Sequence, residues 1–228
     1  MEKKDLLILH GALGSASQFS ELELQLSAEF HIHCFDLYEH GRRCSGRSFT
    51  IQDITDDVYH YIKEQLLVHC CIFGYSMGGY VALQLALQHP KLVSSIMTLG
   101  TKLDWTKETA EKESVMLNPA IIKDKVPHYA ASLQKMHDEN WENLVVNTGK
   151  MMHHLALAPI TSEELKTIKQ PVRFSIGDKD NMVSLAETTA AFHAIENSSL
   201  LVIPGTKHPI EKVDQQRLAY EIRNFFNG

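Results

Sequence analysis

One segment, residues 68–89, constrains the fold of this chain more than any other. An apolar run ending at Phe73 leads into Gly74-Tyr-Ser76-Met77-Gly78-Gly79, and a second apolar run follows. This order predicts a strand, a sharp turn and a helix. A G-x-S-x-G turn strains the backbone at its serine, so only small residues fit two positions to either side. The Ser76 hydroxyl is then held out at the carboxyl end of a sheet. There the positive end of a helix dipole and the Met77 N–H favour negative charge.

The rest of the chain alternates between strand-like and helix-like segments. This alternation predicts an α/β fold, with a mostly parallel six-stranded sheet and helices on both faces. The predicted strands are residues 6–9, 31–35, 68–73, 95–99, 172–176 and 200–203. The first predicted helix is capped by Ser17 and carries Phe19, Leu22, Leu24 and Leu26. The other predicted helices are residues 51–67, one after Ser76 that ends before Pro90, 185–195 and 214–226.

Residues 102–169 interrupt this alternation and contain no strand pattern. Asn118-Pro119 and Val126-Pro127 predict two helix starts with proline in the first turn, and Thr161 begins a capping box. Apolar residues between Trp141 and Leu155 recur at helical spacing. We therefore predict a core of residues 1–101 and 170–228, with 102–169 inserted as a helical cap over the carboxyl ends of the strands, where such sheets bind ligands. The alternative is that these helices only complete the core.

Composition fits a compact enzyme. With 228 residues, 44% hydrophobic, the chain can bury one sizeable core, and a net charge of −6 disfavours nucleic-acid and anionic-membrane partners. No apolar run reaches the length of a secretory signal or a membrane span, so we expect a cytoplasmic protein. Four cysteines, at positions 34, 44, 70 and 71, show no regular spacing, and we expect them to be reduced and structural.

The motifs resemble those of the α/β-hydrolase superfamily over nearly the whole chain. The resemblance rests on His10-Gly11, Asp36 followed by His40-Gly41, the Ser76 pentapeptide, Gly177-Asp-Lys-Asp180 and Gly205-Thr-Lys-His208, each placed after a predicted strand. In that family nucleophile, acid and histidine follow one another in chain order, as Ser76, Asp180 and His208 do here. Family members usually begin with an antiparallel hairpin, for which the five residues before Leu6 leave no room. We therefore expect a shortened sheet.

Independently of this resemblance, nucleophilic catalysis by a serine requires these residue types. A serine hydroxyl needs a base within hydrogen-bond reach, and a carboxylate on the other ring nitrogen fixes the tautomer of that base. His208 would be the base and Asp180 the carboxylate. Asp178 competes for the second role, but the family spacing of three residues after the glycine favours Asp180.

An oxyanion formed at Ser76 needs two N–H donors. We assign them to Met77 and Ala12, with Leu13 as the alternative for the second donor. Leu13, Tyr75 and Trp105 are the residues expected to line the substrate pocket.

The resemblance implies a serine hydrolase that cleaves an ester or related acyl compound through an acyl-enzyme intermediate. The expected partner is a small-molecule acyl substrate, without a cofactor or a metal, and the sequence does not determine the oligomeric state. Two alternatives use the same fold. The first is a C–C bond lyase or hydrolase, or a perhydrolase, that uses the same triad. The second is a ligand-binding receptor of low catalytic activity.

Other polar residues leave alternatives open. His31 with His33, or His153 with His154, could form a metal pair, but no recognised metal spacing accompanies them. His10 is expected to make a hydrogen bond that stabilises its turn. Arg42, Arg43 and Arg47 either hold a substrate carboxylate or belong to a solvated loop.

Overall fold

The computed structural model describes residues 3–228 and contains a single sheet of six parallel strands. The strands are β1 (Lys4–Leu9), β2 (Phe30–Cys34), β3 (Cys70–Tyr75), β4 (Val93–Leu99), β5 (Val172–Gly177) and β6 (Ser198–Ile203). Their order across the sheet is β2-β1-β3-β4-β5-β6, and every neighbouring pair is parallel. The predicted α/β fold with a six-stranded parallel sheet is confirmed.

Ten α-helices surround this sheet in the described residues. They are α1 (Ser20–Leu26), α2 (Ile51–Glu64), α3 (Met77–Gln88), α4 (Lys107–Ser114), α5 (Pro119–Lys125), α6 (Pro127–His137), α7 (Trp141–Leu155), α8 (Ser162–Leu165), α9 (Leu185–Ala194) and α10 (Gln215–Asn227). No helix in residues 3–228 is both long enough and apolar enough to cross a bilayer.

The two faces of the sheet carry separate apolar layers because side chains alternate along each strand. In β1, Leu6 and Ile8 pack with residues of α1 and α10, whereas Leu7 and Leu9 pack with residues of α2 and α3. All four side chains are fully buried. Burying each stabilises the fold by about 1.5–3 kcal/mol.

The sheet has a topological switch point at β1. The chain passes from β1 to β2 on one side and returns to β3 on the other, where Leu9 lies opposite Gly74. In open α/β sheets a ligand crevice forms outside the carboxyl ends of the strands at such a point. The loops after β1 and β3 therefore border the expected crevice.

The helices between β4 and β5 begin where the sequence predicts. The Asn118 side chain accepts hydrogen bonds from the Ala120 and Ile121 N–H groups and caps α5 at Pro119. Proline also begins α6, and Thr161 forms the capping box of α8. Helix α4 has no counterpart among the predicted helices.

Several predicted boundaries differ from the structure. The strand expected at 31–35 begins at Phe30 and ends at Cys34, and the helix expected at 51–67 ends at Glu64. Ser17 lies inside a short 3₁₀ turn whose N-cap is Ser15, and α1 follows from Ser20. In that helix Leu22 and Leu26 are fully buried, whereas Leu24 is 78% exposed. All four cysteines are free thiols, as expected, and Cys70 and Cys71 are buried in β3.

Candidate active site

Ser76 lies between β3 and α3 with φ 52° and ψ −116°. A non-glycine residue rarely adopts this backbone conformation, and the surrounding structure must hold it. The Ser76 N–H donates to the Leu99 carbonyl at 2.8 Å, and the Ser76 carbonyl accepts from the Gly79 N–H and the Thr101 hydroxyl, both at 3.0 Å. The strained turn is therefore fixed from β4 and from the first turn of α3.

Close approach of backbone segments explains the glycines around Ser76. A Cβ on Gly74 would lie 2.5 Å from the Gly78 carbonyl oxygen, and one on Gly78 would lie 2.2 Å from the Leu9 carbonyl oxygen. Gly11 is also close to Ser76, because a Cβ added to Gly11 would lie 3.2 Å from the Ser76 Cβ. The loop after β1 thus lies directly against Ser76.

Asp180 and His208 form a buried hydrogen-bonded pair. The His208 Nδ1 lies 2.7 Å from the Asp180 Oδ2, and the two side chains are 7% and 2% exposed. The Met182 and Val183 N–H groups donate to the other carboxylate oxygen, each at 2.9 Å. Asp178 is exposed in the same turn. The structure therefore brings Asp180, rather than Asp178, to His208.

The surroundings of Asp180 keep its carboxylate ionised. Burial alone would raise the pKa of Asp180, but the hydrogen bond and charge of His208, with the two backbone N–H donors, outweigh burial and lower it. An ionised carboxylate only accepts hydrogen bonds, so the His208 Nδ1 carries the ring hydrogen. In the neutral ring, Nε2 then carries the lone pair that can accept a proton.

Tyr75 and Gly100 connect the Ser76 turn to the Asp180–His208 pair. The Tyr75 hydroxyl donates to the His208 carbonyl at 3.0 Å. Gly100 follows β4 with φ 60° and lies directly against the pair. A Cβ added to Gly100 would lie 3.1 Å from both the Asp180 Oδ2 and the His208 Nδ1. Neither role follows from the sequence, where Gly100 is only a glycine after an apolar strand.

The Ser76 side chain lies at the same end of the sheet as this pair and is not hydrogen-bonded to it. Within residues 3–228 the Ser76 Oγ makes no hydrogen bond. Catalytic hydrogen bonds often tighten only when substrate binds. The shared sheet edge and the Tyr75 and Gly100 contacts are what place the hydroxyl and the imidazole in one region.

A narrow cavity of about 50 Å³ opens beside Ser76. It is bordered by Ala12, Ile51, Ser76, Met77, Tyr80, Lys102, Trp105, Met151, Met152 and Leu155. Neither the Ala12 N–H nor the Met77 N–H donates a hydrogen bond to any residue in 3–228, so both donors are available.

Of the three residues expected to line the pocket, the structure brings one to this cavity. Trp105 borders it. Leu13 is buried in the core, and the Tyr75 side chain packs on the other face of the sheet beside Phe19. Helical spacing predicted the wall from α7, whereas Ile51 and Tyr80 carry no sequence signal that points to the site.

The remaining polar candidates lie elsewhere. Arg42 pairs with Asp138 at 2.9 Å and Arg43 with Asp57 at 2.6 Å, and neither they nor the exposed Arg47 borders the cavity. These contacts fit the solvated-loop alternative. In the described part of the chain, no group of three or more His, Cys, Asp or Glu side chains is arranged to hold a metal ion.

Comparison with known proteins identifies the family. The protein-family model described as "alpha/beta hydrolase fold" matches residues 5–151, which is more than half of the chain. The chain therefore belongs to the α/β-hydrolase fold family.

Two curated relatives are similar to part of the chain. A pimeloyl-[acyl-carrier protein] methyl ester esterase from Edwardsiella ictaluri is 32% identical over 58% of this chain and 47% of its own length. An sn-1-specific diacylglycerol lipase, ABHD11 of Xenopus laevis, is 28% identical over 59% of this chain and 39% of its own length. The matches thus span less than half the length of these relatives.

A solved structure is similar to the whole chain. The crystal structure of NosK from Streptomyces actuosus superposes with a TM-score of 0.85, covering 99% of this chain and 98% of that one. The two sequences are 18% identical, so this similarity concerns the fold alone.

Proposed function

We propose that this protein is a serine hydrolase that cleaves carboxylic esters through an acyl-enzyme intermediate. The observation that carries the proposal is the buried Asp180–His208 pair, which lies at the same sheet edge as Ser76 in its strained turn. Ester hydrolysis is also what the names of the two curated relatives have in common.

In the proposed mechanism the Ser76 Oγ attacks the ester carbonyl carbon while the His208 Nε2 takes the hydroxyl proton. Asp180 stabilises the imidazolium that forms. The carbonyl oxygen becomes an oxyanion that accepts hydrogen bonds from the Ala12 and Met77 N–H groups. When the tetrahedral intermediate collapses, the proton passes from His208 to the leaving alcohol. Water then attacks the acyl-enzyme by the same steps and restores Ser76.

The segment from 102 to 169 is proposed to act as the cap of this site. Trp105 and three side chains of α7, Met151, Met152 and Leu155, border the cavity together with Ile51 and Tyr80 of the core. The walls are mostly apolar, which suits the acyl part of a substrate. About 50 Å³ is small beside the roughly 300–1,000 Å³ of common ligand sites. Short acyl groups would fit as the cavity stands, whereas longer ones would require α7 to move.

A panel of p-nitrophenyl acyl esters and a fluorophosphonate probe tests the proposal. We expect turnover that is fastest on short acyl chains, and covalent labelling that mass spectrometry maps to Ser76. Ser76→Ala should lower turnover by a factor on the order of 10⁴ to 10⁶. Ser48→Ala is the matched control, because Ser48 is exposed and makes no hydrogen bond within residues 3–228.

Three results would contradict the assignment: labelling of a different serine, substantial turnover by Ser76→Ala, or a wild-type protein that neither turns over esters nor reacts. Labelling of Ser76 without ester turnover would instead support a lyase or a ligand-binding receptor on this fold.

A further inference from the structure

A histidine of α6 bridges two loops at the edge of the candidate site. The His137 Nδ1 accepts a hydrogen bond from the Gly41 N–H at 2.8 Å, and its Nε2 donates to the Leu13 carbonyl at 2.9 Å. The side chain is almost fully buried. One imidazole therefore links the loop after β1, the loop after β2 and the helical segment 102–169.

The Gly41 contact fixes the protonation state of this ring. A backbone N–H can only donate, so the His137 Nδ1 must be unprotonated and Nε2 must carry the hydrogen. Burial lowers the pKa of His137, which keeps the ring neutral. The neutral ring with its hydrogen on Nε2 is the one form that satisfies both contacts.

The loop that His137 holds carries a proposed oxyanion donor. The Gly11 carbonyl accepts from the His10 Nδ1 at 2.8 Å and from the Gly14 N–H at 3.1 Å. Two residues later, Leu13 has φ 58°, an unfavourable conformation for a leucine. The carbonyls of Gly11 and Leu13, the two neighbours of Ala12, are thus held by buried histidines, while the Ala12 N–H itself is left without a partner in residues 3–228.

We propose that His137 is a positioning residue for the oxyanion hole: by holding the Leu13 carbonyl, it aims the Ala12 N–H at the oxygen on which negative charge develops. This inference rests on the proposed ester hydrolysis at Ser76. It gives the segment 102–169 a second part in the reaction, because α6 acts on the transition state while α7 lines the cavity. Oxyanion donors act through their orientation, so a loop that relaxes loses transition-state stabilisation while ground-state binding persists.

Two substitutions separate the contacts of His137. In His137→Gln the side-chain amide nitrogen can take the place of Nε2 and keep the donor to Leu13. In His137→Asn the amide oxygen can take the place of Nδ1 and keep the acceptor for Gly41, but no donor reaches Leu13. Each variant removes the imidazole and one contact. His128→Asn is the control on the exposed face of the same helix.

We expect His137→Asn to lower kcat by roughly 10- to 100-fold with KM changed by less than about threefold, whereas His137→Gln stays within about fivefold of the wild type. A trifluoromethyl ketone, which forms a tetrahedral oxyanion adduct with the proposed nucleophile, should lose affinity in His137→Asn by the same factor as kcat. The control should match the wild type in both measurements.

A purely structural role of His137 predicts a different pattern. Both variants would then be less stable to a similar degree, and the kcat of the folded fraction and the ketone affinity would be unchanged. That pattern, or equal kcat losses in the two variants, overturns the inference. If His137→Asn does not fold, His137→Leu, which fills the buried position without either hydrogen bond, takes its place beside His137→Gln. Ketone affinity at least tenfold weaker in His137→Leu than in His137→Gln supports the inference, and equal affinities contradict it. Failure of the proposed function is recognised separately, because the wild-type protein would then show no turnover and no labelling of Ser76.

Discussion

Two aspartates follow β5 in one turn, and their surroundings differ in ways that matter for catalysis. Asp180 is buried, accepts two backbone N–H bonds and contacts the His208 Nδ1, whereas Asp178 is exposed. Of the two, only the Asp180 carboxylate is placed to fix the imidazole tautomer. The difference between them is therefore testable with isosteric substitutions.

Asp180→Asn should leave the chain folded but lower kcat by a factor on the order of 10³ to 10⁴, because an amide no longer enforces the reactive tautomer of His208. Asp178→Asn should change kcat by less than about twofold, since surface substitutions rarely reach into a site. Steady-state kinetics on a short p-nitrophenyl ester, with circular dichroism to verify folding, measures both. A large loss in Asp178→Asn alone would mean that Asp178, and not Asp180, acts on His208.

Gly100 supports the Asp180–His208 pair from below. A Cβ at this position would lie 3.1 Å from atoms of both side chains, and its φ of 60° disfavours any other residue. We expect Gly100→Ala to lower kcat by roughly 10- to 100-fold, because small displacements of catalytic groups are costly.

Gly205 provides the control for Gly100. It has φ 69° but no atom within 4 Å of an added Cβ. Gly205→Ala should therefore show a similar backbone cost in thermal unfolding with kcat close to that of the wild type. Equal kcat in the two variants would show that Gly100 only relieves backbone strain.

The residues of the site divide into those that the sequence could predict and those that it could not. Ser76, Asp180 and His208 each follow a strand within a recognisable turn, so local pattern was enough to propose them. Gly100 and His137 depend on which residues meet across the fold. His137 contacts a carbonyl 124 positions away. No local pattern encodes such a contact.

At the level of whole elements, hydrophobic periodicity predicted where helices and strands lie better than where they end. All six strands and the proline-started helices α5 and α6 were found as expected. The helix expected to end at residue 67 instead ends at Glu64, because Leu66 adopts a positive φ of 55°. Leu24 shows a further limit: it is apolar but lies two residues from both Leu22 and Leu26, so α1 places it on the opposite face, where it is exposed.

Helix α7 offers the test of the cap. Leu155 is buried at the wall of the cavity, whereas Val146 on the same helix is 41% exposed. Leu155→Ala should enlarge the cavity and raise the ratio of kcat/KM for a hexanoyl over an acetyl ester by about 10-fold, in the range expected for one or two added methylenes. It should also cost about 2–5 kcal/mol of stability.

Val146→Ala, the matched control, should leave the chain-length ratio unchanged. The measurements are the ratio from the ester panel and the midpoint of urea unfolding for each variant. If Leu155→Ala is folded and destabilised but keeps the wild-type ratio, α7 only fills the core.

Considered as a whole molecule, the fold gathers the candidate site from five strands at one edge of the sheet. Ala12, Ser76, Gly100, Asp180 and His208 follow β1, β3, β4, β5 and β6 respectively. Parallel strands place all these loops on the same side, and the switch point between β1 and β3 lets the first two face each other. This arrangement explains why residues almost 200 positions apart come together in the candidate site.

Besides His208, the same edge of the molecule contains a cluster of three further buried histidines, His10, His40 and His137. The His40 ring lies 5.2 Å from that of His10 and 6.2 Å from that of His137. Burial, with smaller effects of the neighbouring histidines, lowers the pKa of His10 from 6.5 to about 4 and that of His40 to about 3. Asp36 and Asp138, which favour the charged forms, only partly oppose burial at His137. All three rings are therefore neutral in the folded protein at neutral pH.

These depressed pKa values make the stability of the protein depend on pH in a defined window. Between pH 6.5 and about 4 the unfolded chain binds protons that the folded chain excludes. The contribution of these histidines to the free energy of unfolding is therefore complete above pH 6.5 and is lost as the pH decreases. The buried His10 alone would account for roughly 3 kcal/mol of this loss. Urea unfolding at pH 7, 6, 5 and 4 should show the decline.

His40→Phe identifies the source of this decline. The His40 Nδ1 bonds the Tyr38 carbonyl, but its Nε2 has no partner within residues 3–228, so a phenyl ring of similar size gives up only one hydrogen bond. The variant should lose less stability between pH 6.5 and 4 than the wild type, because one proton-excluding ring is gone. His60→Phe, at an exposed position outside this cluster, is the control and should keep the wild-type slope. Equal slopes in all three proteins would show that burial of His40 does not control the acid sensitivity of the fold.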